Sequence, residues 1–329
     1  MTVITATVQA FFTERLVTQR RSSPHTIAAY RDTIRLLVTF ASTQNGVTAS
    51  RLDFADLGAP MVCAFLDHLE HERGNSIRTR NARLAAIHSL FGFAALRHPE
   101  HADDIARVLA IPAKRTGQTI VTFLTDAEVD TLLTAPDQTT ITGRRDHTLF
   151  LLVIQTGLRA SELLGLTCGD VHLGHGAYVA CHGKGRKDRI TPLTHGTVTA
   201  LRSWLAERAG APGDPLFPTN RGTRMSRDAL ERRLARHIDV ARRTCPSLND
   251  KTITPHVLRH TAAMRLLHAG VDITVIALWL GHENVTTTQL YLQADLALKQ
   301  QALDRTTPLT SRPGRYRPTG ELLHFLERL

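Results

Sequence analysis

The chain has 329 residues, 42% of them hydrophobic and 5% aromatic, and a formal charge of +10. That length suits two domains, each large enough to bury its own core. No apolar run reaches the roughly 18 residues of a membrane span, and the start, MTVITATVQAFFTERL, has no basic region ahead of its apolar residues, so neither a membrane protein nor a secretory signal is expected. Cys63, Cys168, Cys181 and Cys245 stand far apart without a CxxC pair, which excludes a sequence-visible zinc site or disulfide framework and fits a reduced, cytoplasmic protein.

The pI of about 10.1 points to a polyanionic partner, most simply nucleic acid. Residues 1–115 hold 14 Lys and Arg against 10 Asp and Glu, and the rest hold 26 against 20, so the excess is spread over both halves rather than gathered in a tail. Few aromatics means few stacking platforms for bases, so contact with a duplex backbone is the better expectation.

The first hundred residues read as helices. SPHTIAAYRDTIRLLVTFAS places Ile27, Tyr30, Ile34, Leu37 and Phe40 three and four apart, with Ser23 as cap and Pro24 in the first turn. APMVCAFLDHLEHERG is a second helix ended by Gly74, and SIRTRNARLAAIHSLFGFAALRH a third that stops before Pro99. Arg78, Arg80 and Arg83 crowd its start, either as a solvated face or as phosphate contacts. IPAKRTGQTIV, residues 111–121, has no periodicity and carries Lys114 and Arg115; it reads as a basic linker that would also touch the duplex. The domain boundaries expected are therefore 1–110, then 122–303, with 304–329 as a tail.

Past the linker, LTDAEVDTLLTA is a helix with Thr125 and Glu128 as a capping box. An apolar helix from Thr148 to Gln155 breaks at Gly157, and a short one starts near Ala160. AYVACHGKGRKDRITPL alternates around GKGRK as a β-hairpin carrying Lys184 and Arg186. From Ser226 onward the chain is helical again. In the tail, ELLHFLERL carries one apolar stripe on a helix too short to stand alone. It would dock on its own domain or on a neighbouring protomer.

The chemistry-capable residues sit in separated segments. Arg159 lies at a helix start, where anions are favoured. Lys184 lies between glycines that let the backbone come close to a ligand. His256 and Arg259 are three apart on one helical face, and His282 and Tyr291 follow the WLGHEN turn. The GKG turn is no phosphate loop, since GxxxxGK[ST] is absent, and His256 with His260 lacks HExxH and an evident third zinc ligand.

In this order and context, TGLRASELLGL, HGKGRKDRITPL and HVLRHTAAMRLLHAGVDITVIALWLGHENVTTTQLYL resemble the two arginine boxes and the lysine hairpin of the tyrosine recombinase (lambda-integrase-like) family. The resemblance spans nearly the whole chain. It implies a mainly α fold with a small antiparallel β-sheet (α+β), made of an N-terminal helical core-binding domain and a C-terminal catalytic domain. It implies a site-specific DNA recombinase or integrase that joins a DNA 3′-phosphate to tyrosine and frees a 5′-hydroxyl, without ATP or metal and with no cofactor. The residues matched are Arg159, Lys184, His256, Arg259, His282 and Tyr291, with Tyr291 as nucleophile, His256 as candidate base and Lys184 as general acid. Glu162 would orient a neighbour. The expected partners are duplex DNA with specific sites and further copies of the chain, as a tetrameric synapse, with or without related recombinases. A mobile-element enzyme is the favoured setting. The competing readings are a type IB topoisomerase-like enzyme, a non-catalytic DNA-binding regulator on the same fold, and a metal-dependent nuclease, for which no clustered carboxylates are evident.

Overall fold

The computed structural model describes residues 3–117, 121–182, 188–282, and positions 288 and 291. It is mainly helical with one three-stranded antiparallel sheet, the fold class read from the sequence. Contacts divide the chain into two units, Met1–Gln118 and Thr119–Leu329. Among the described residues no helix is long and apolar enough to cross a membrane.

In the first unit, α1 (Val3–Ala10) runs into a π-helical stretch, Phe11–Gln19, that the sequence pattern does not announce. Its buried residues, Phe11 and Leu16, are five apart, as the wider π turn requires. Helix α2 (Pro24–Asn45) starts where expected, with the Ser23 side chain accepting from Thr26 N. Helices α3 (Ala59–His71), α4 (Ile77–Ala94) and α5 (Ala102–Leu109) complete the bundle. Its core joins Leu37 and Ala41 to Phe65, Leu66, Leu84, Ile87, Phe91 and Ile105. Tyr30 stacks on Phe11, with 6.3 Å between ring centres.

Part of the expected basic linker belongs to this unit. Asn81 on α4 clips Lys114, donating to its carbonyl at 2.7 Å and accepting from its amide at 3.1 Å. The Lys114 ammonium then pairs with Glu70 at 2.8 Å.

In the second unit, α6 (Asp126–Thr134) carries the Thr125–Glu128 capping box, and the buried Glu128 also binds Lys251 at 2.6 Å. Helix α7 (Ile141–Thr156) is the central rod, burying Leu149, Phe150, Leu152, Val153 and Ile154. It begins a full two turns before the apolar run that marks it in sequence. The reason is a buried polar knot: Asp146 binds Arg145 at 2.8 Å on one oxygen, and His237 at 3.0 Å and Arg233 at 3.1 Å on the other. The last two come from α10 (Arg227–Ala241).

After α7 come α8 (Ala160–Gly165) and strands β1 (Val171–His172), β2 (Tyr178–His182) and β3 (Asp188–Pro192). Strands β2 and β3 pair from Tyr178↔Pro192 to His182↔Asp188, the expected hairpin, and β1 adds a third strand too short for alternation to reveal. Helices α9 (His195–Arg208), α11 (Pro255–His268) and α12 (Ile273–Leu280) follow, with α9 and α11 packed on α7.

Candidate active site

The site forms where two helices are cut short by glycine. Gly157 ends α7 and Gly281 ends α12, both in the left-handed conformation at φ 65°. A Cβ on Gly157 would lie 2.5 Å from Leu280 and 3.2 Å from Ala262, so only glycine lets these helix ends meet.

Arg259 rises from the start of α11 into this junction. It is 2% exposed, and it donates to Gly157 O at 2.6 Å and to Leu280 O at 2.7 Å. Those carbonyls are the negative ends of two helix dipoles, which offsets the cost of burying the cation. Burial still lowers its pKa to about 10, which leaves it charged at neutral pH. Two of its five N–H groups are used by these carbonyls, and three point elsewhere.

Arg159 caps α8 and donates to Gly281 O at 2.8 Å and to Glu162 at 2.7 Å. Its side chain keeps 41% of its exposure, so its guanidinium is open to a ligand. Glu162 is the hub. It also accepts from Arg159 N at 2.8 Å and from both terminal nitrogens of Arg189 on β3, at 3.0 and 2.8 Å. Burial pushes its carboxyl up, but the bonds from Arg189 and Arg159 outweigh that and hold it below the ordinary range. Three guanidiniums against one carboxylate leave a surplus of positive charge beside the glycine turns.

His282 follows Gly281. Its Nδ1 lies 2.7 Å from the hydroxyl of Thr288, which is fully buried. Burial, then Arg259 and Arg159, lower its pKa to about 4, so the ring is neutral at pH 7. When Thr288 donates to Nδ1, Nε2 carries the proton and becomes a donor. Tyr291 is 2% exposed, its ring nearly parallel to His282 at 6.5 Å. Burial raises the phenol above its ordinary pKa, against the pull of Arg259 and Arg159.

The structure brings Arg159, Arg259, His256, His282 and Tyr291 into one cluster. The group bonded to the Tyr291 hydroxyl is His260, through Nδ1 at 3.0 Å, while His256, the candidate base of the sequence, lies one helical turn before it. The His256 ring packs on His260 with centres 4.1 Å apart. Partial removal from water, then Arg259, hold it below the usual histidine range. Lys184, Arg186 and the tail helix lie outside the described residues.

The expected DNA contacts divide. Arg78 and Arg115 are exposed. Arg83 is half-buried in a hollow with Tyr30, Asp32 and Thr79. Arg80 is only 5% exposed, with its Nε 3.6 Å from Glu70. Lys114 is tied to the same carboxylate. Arg189 and Thr288, which bond Glu162 and His282, were not singled out by the sequence pattern, and His260 was weighed there only as a zinc ligand. Alternation on β3 placed Arg189 on a strand but gave no sign of its partner.

Glu162→Gln tests the hub. A depressed carboxyl contributes stability that is complete above the unfolded value near 4.5 and is lost as pH falls through the folded value. The variant should unfold more easily at pH 7, by on the order of 3 kcal/mol. It should also lose part of the wild-type's fall in stability below about pH 4.5, read from denaturation midpoints across pH. Parallel curves for the two proteins would contradict the pairing.

Two cationic forks, neutral imidazoles and a buried phenol therefore meet beside the two glycine turns. Residues 122–297 match the phage integrase family, and residues 10–98 match the phage integrase N-terminal SAM-like domain. The chain is 51% identical to the integrase/recombinase y4rC of Sinorhizobium fredii, over 98% of this chain and 97% of that one. It is 32% identical to the tyrosine recombinase XerC of Pelobacter propionicus, over 92% and 95% of the two chains. The fold is shared with the Tn1549 transposon integrase in complex with transposon right end DNA (TM-score 0.68, 19% identity, 92% and 98% covered). It is also shared with the XerH site-specific recombinase bound to difH DNA after cleavage (TM-score 0.65, 22% identity, 87% and 81% covered).

The chain belongs to the phage integrase family of tyrosine recombinases. It is an enzyme that breaks and rejoins DNA strands, and neither the topoisomerase-like nor the regulator reading is favoured.

Proposed function

We propose that this recombinase uses Tyr291 to attack a phosphodiester held by Arg159 and Arg259. The observation that carries the reading is the surplus positive charge of Arg159, Arg189 and Arg259 over Glu162 beside a buried tyrosine hydroxyl. A phosphodiester resists nucleophiles because its charged oxygens repel them. Paired donors from Arg159 and Arg259 offset that repulsion and stabilise the charge that builds in the five-coordinate transition state. His282 and His256, both neutral, add donors at the same oxygens.

The tyrosine oxygen bonds to phosphorus as its proton passes to a neighbouring imidazole, the bond to the 5′ oxygen breaks, and Lys184 gives that oxygen its proton, a role carried over from the matching hairpin motif. The phosphotyrosine stores the bond energy, and a 5′-hydroxyl from a second strand reverses the step. Cationic side chains take up the charge that a metal ion would otherwise neutralise.

The partner is duplex DNA bearing specific sites. Exchange between two duplexes calls for four copies of the chain in a synapse, alone or with related recombinases. The fold is shared with a transposon integrase, and a mobile element is the setting proposed. Arg78 and Arg115, both exposed, are proposed as phosphate contacts of the first unit.

The test begins by selecting bound duplexes from a randomised pool. Two duplexes with the selected site should then exchange strands in excess EDTA with no nucleotide present. Exchange that stops with chelator and returns with magnesium would overturn the reading. On the same duplex, charge removal at Arg78 and Arg115 should reduce the slope of log affinity against log salt by about 0.9 for each phosphate no longer neutralised. An unchanged slope would make them a solvated face.

A further inference from the structure

The side chain bonded to the Tyr291 hydroxyl has no place in the scheme above. His260 follows Arg259 on α11, and its Nδ1 lies 3.0 Å from the phenol oxygen. The two rings meet edge-on at 5.5 Å between centres. This contact orients the hydroxyl of a tyrosine that is almost wholly buried, so it fixes where the oxygen points before any DNA arrives.

We propose that His260 is a catalytic residue of this enzyme: its Nδ1 orients the Tyr291 hydroxyl and takes up its proton as the oxygen attacks phosphorus. The inference rests on Tyr291 as nucleophile and goes beyond it by naming the proton's destination. The O–H bond of Tyr291 breaks and an N–H bond forms at Nδ1. The freed electron pair forms the O–P bond, while the P–O5′ pair leaves on the 5′ oxygen, which takes a proton from the general acid. When a 5′-hydroxyl later attacks the phosphotyrosine, the Nδ1 proton returns to the departing phenol oxygen.

The groups facing His260 explain why the resting enzyme does not ionise its own nucleophile. On α11 they are His256 and Arg259, and from beyond α12 they are His282 and Tyr291. Burial, then His256, Arg259 and His282, lower the His260 pKa to about 4, whereas burial raises that of Tyr291. Transfer is uphill, and Nδ1 stays an acceptor. A phosphodiester between Arg159 and Arg259 adds a negative charge beside the same ring and opposes the arginine field, so substrate binding makes His260 a better base.

The test is single-turnover cleavage of a nicked duplex carrying the selected site, from pH 5 to 9. His260→Asn keeps an acceptor close to the Nδ1 position but cannot take a proton. It should cleave about 100-fold more slowly across this range. Replacing Tyr291 by 3,5-difluorotyrosine in that variant should restore most of the rate, because a more acidic phenol needs less help. An adduct on Tyr291 formed at the wild-type rate by His260→Asn overturns the proposal, as does a slow rate that fluorination leaves unchanged. A wild-type chain with no adduct on Tyr291 sinks the nucleophile reading and this proposal together.

Discussion

Replacing Arg259 by alanine should slow single-turnover cleavage by roughly 10²–10³-fold, the usual loss when a transition-state donor is removed. Affinity for the duplex should change far less, because it is summed over many backbone phosphates. The variant also leaves Gly157 O and Leu280 O without their donor in a buried junction, at a cost of about 1–3 kcal/mol each. A lower melting temperature is therefore expected, and the rate must be read at a temperature where the variant is folded. Arg259→Lys separates the two effects. It keeps the charge but cannot reach two helix ends and a phosphate at once, so it should recover stability better than rate. Cleavage at the wild-type rate in either variant would remove Arg259 from the chemistry.

Tyr291→Phe should abolish the covalent adduct while leaving DNA binding and folding close to normal. The ring still fills its buried place, and what disappears is one hydrogen bond to His260, worth about 1 kcal/mol. No other described tyrosine is placed to substitute. Tyr30 stacks on Phe11 within the helical core of the first unit, and Tyr178 stacks on His172 within the sheet, 4.4 Å between centres. A gel shift at unchanged affinity, with no protein-linked DNA after denaturation, is the expected pattern. Adduct persisting in Tyr291→Phe would mean a different nucleophile.

The sequence showed best what depends on local chemistry. Ser23 with Pro24, and Thr125 with Glu128, mark helix starts because capping is decided within one turn. Gly157 and Gly281 mark helix ends because a left-handed residue leaves its own trace, and the reactive side chains cluster at those ends. The start of α7 was hidden because Arg145 and Asp146 look like surface residues until His237 and Arg233 arrive from α10. The burial of Arg80 was hidden for a like reason: its neighbour, Glu70, belongs to the preceding helix. The contacts of Arg189 with Glu162 and of His260 with Tyr291 were not legible, because each is a single tertiary contact that no spacing encodes. The π-helical stretch at Phe11–Gln19 escaped because buried residues five apart match neither helical nor strand periodicity.

One measurement bears most directly on the central claim. Wild-type protein is incubated with the nicked duplex carrying its selected site, the trapped complex is digested, and the nucleotide-bearing peptide is sequenced by mass spectrometry. The geometry of Arg159, Arg259, His282 and the buried phenol predicts a 3′-phosphate ester on Tyr291 and on no other residue. A cleaved strand with the nucleotide on another side chain, or cleavage with no protein-linked intermediate, would contradict it.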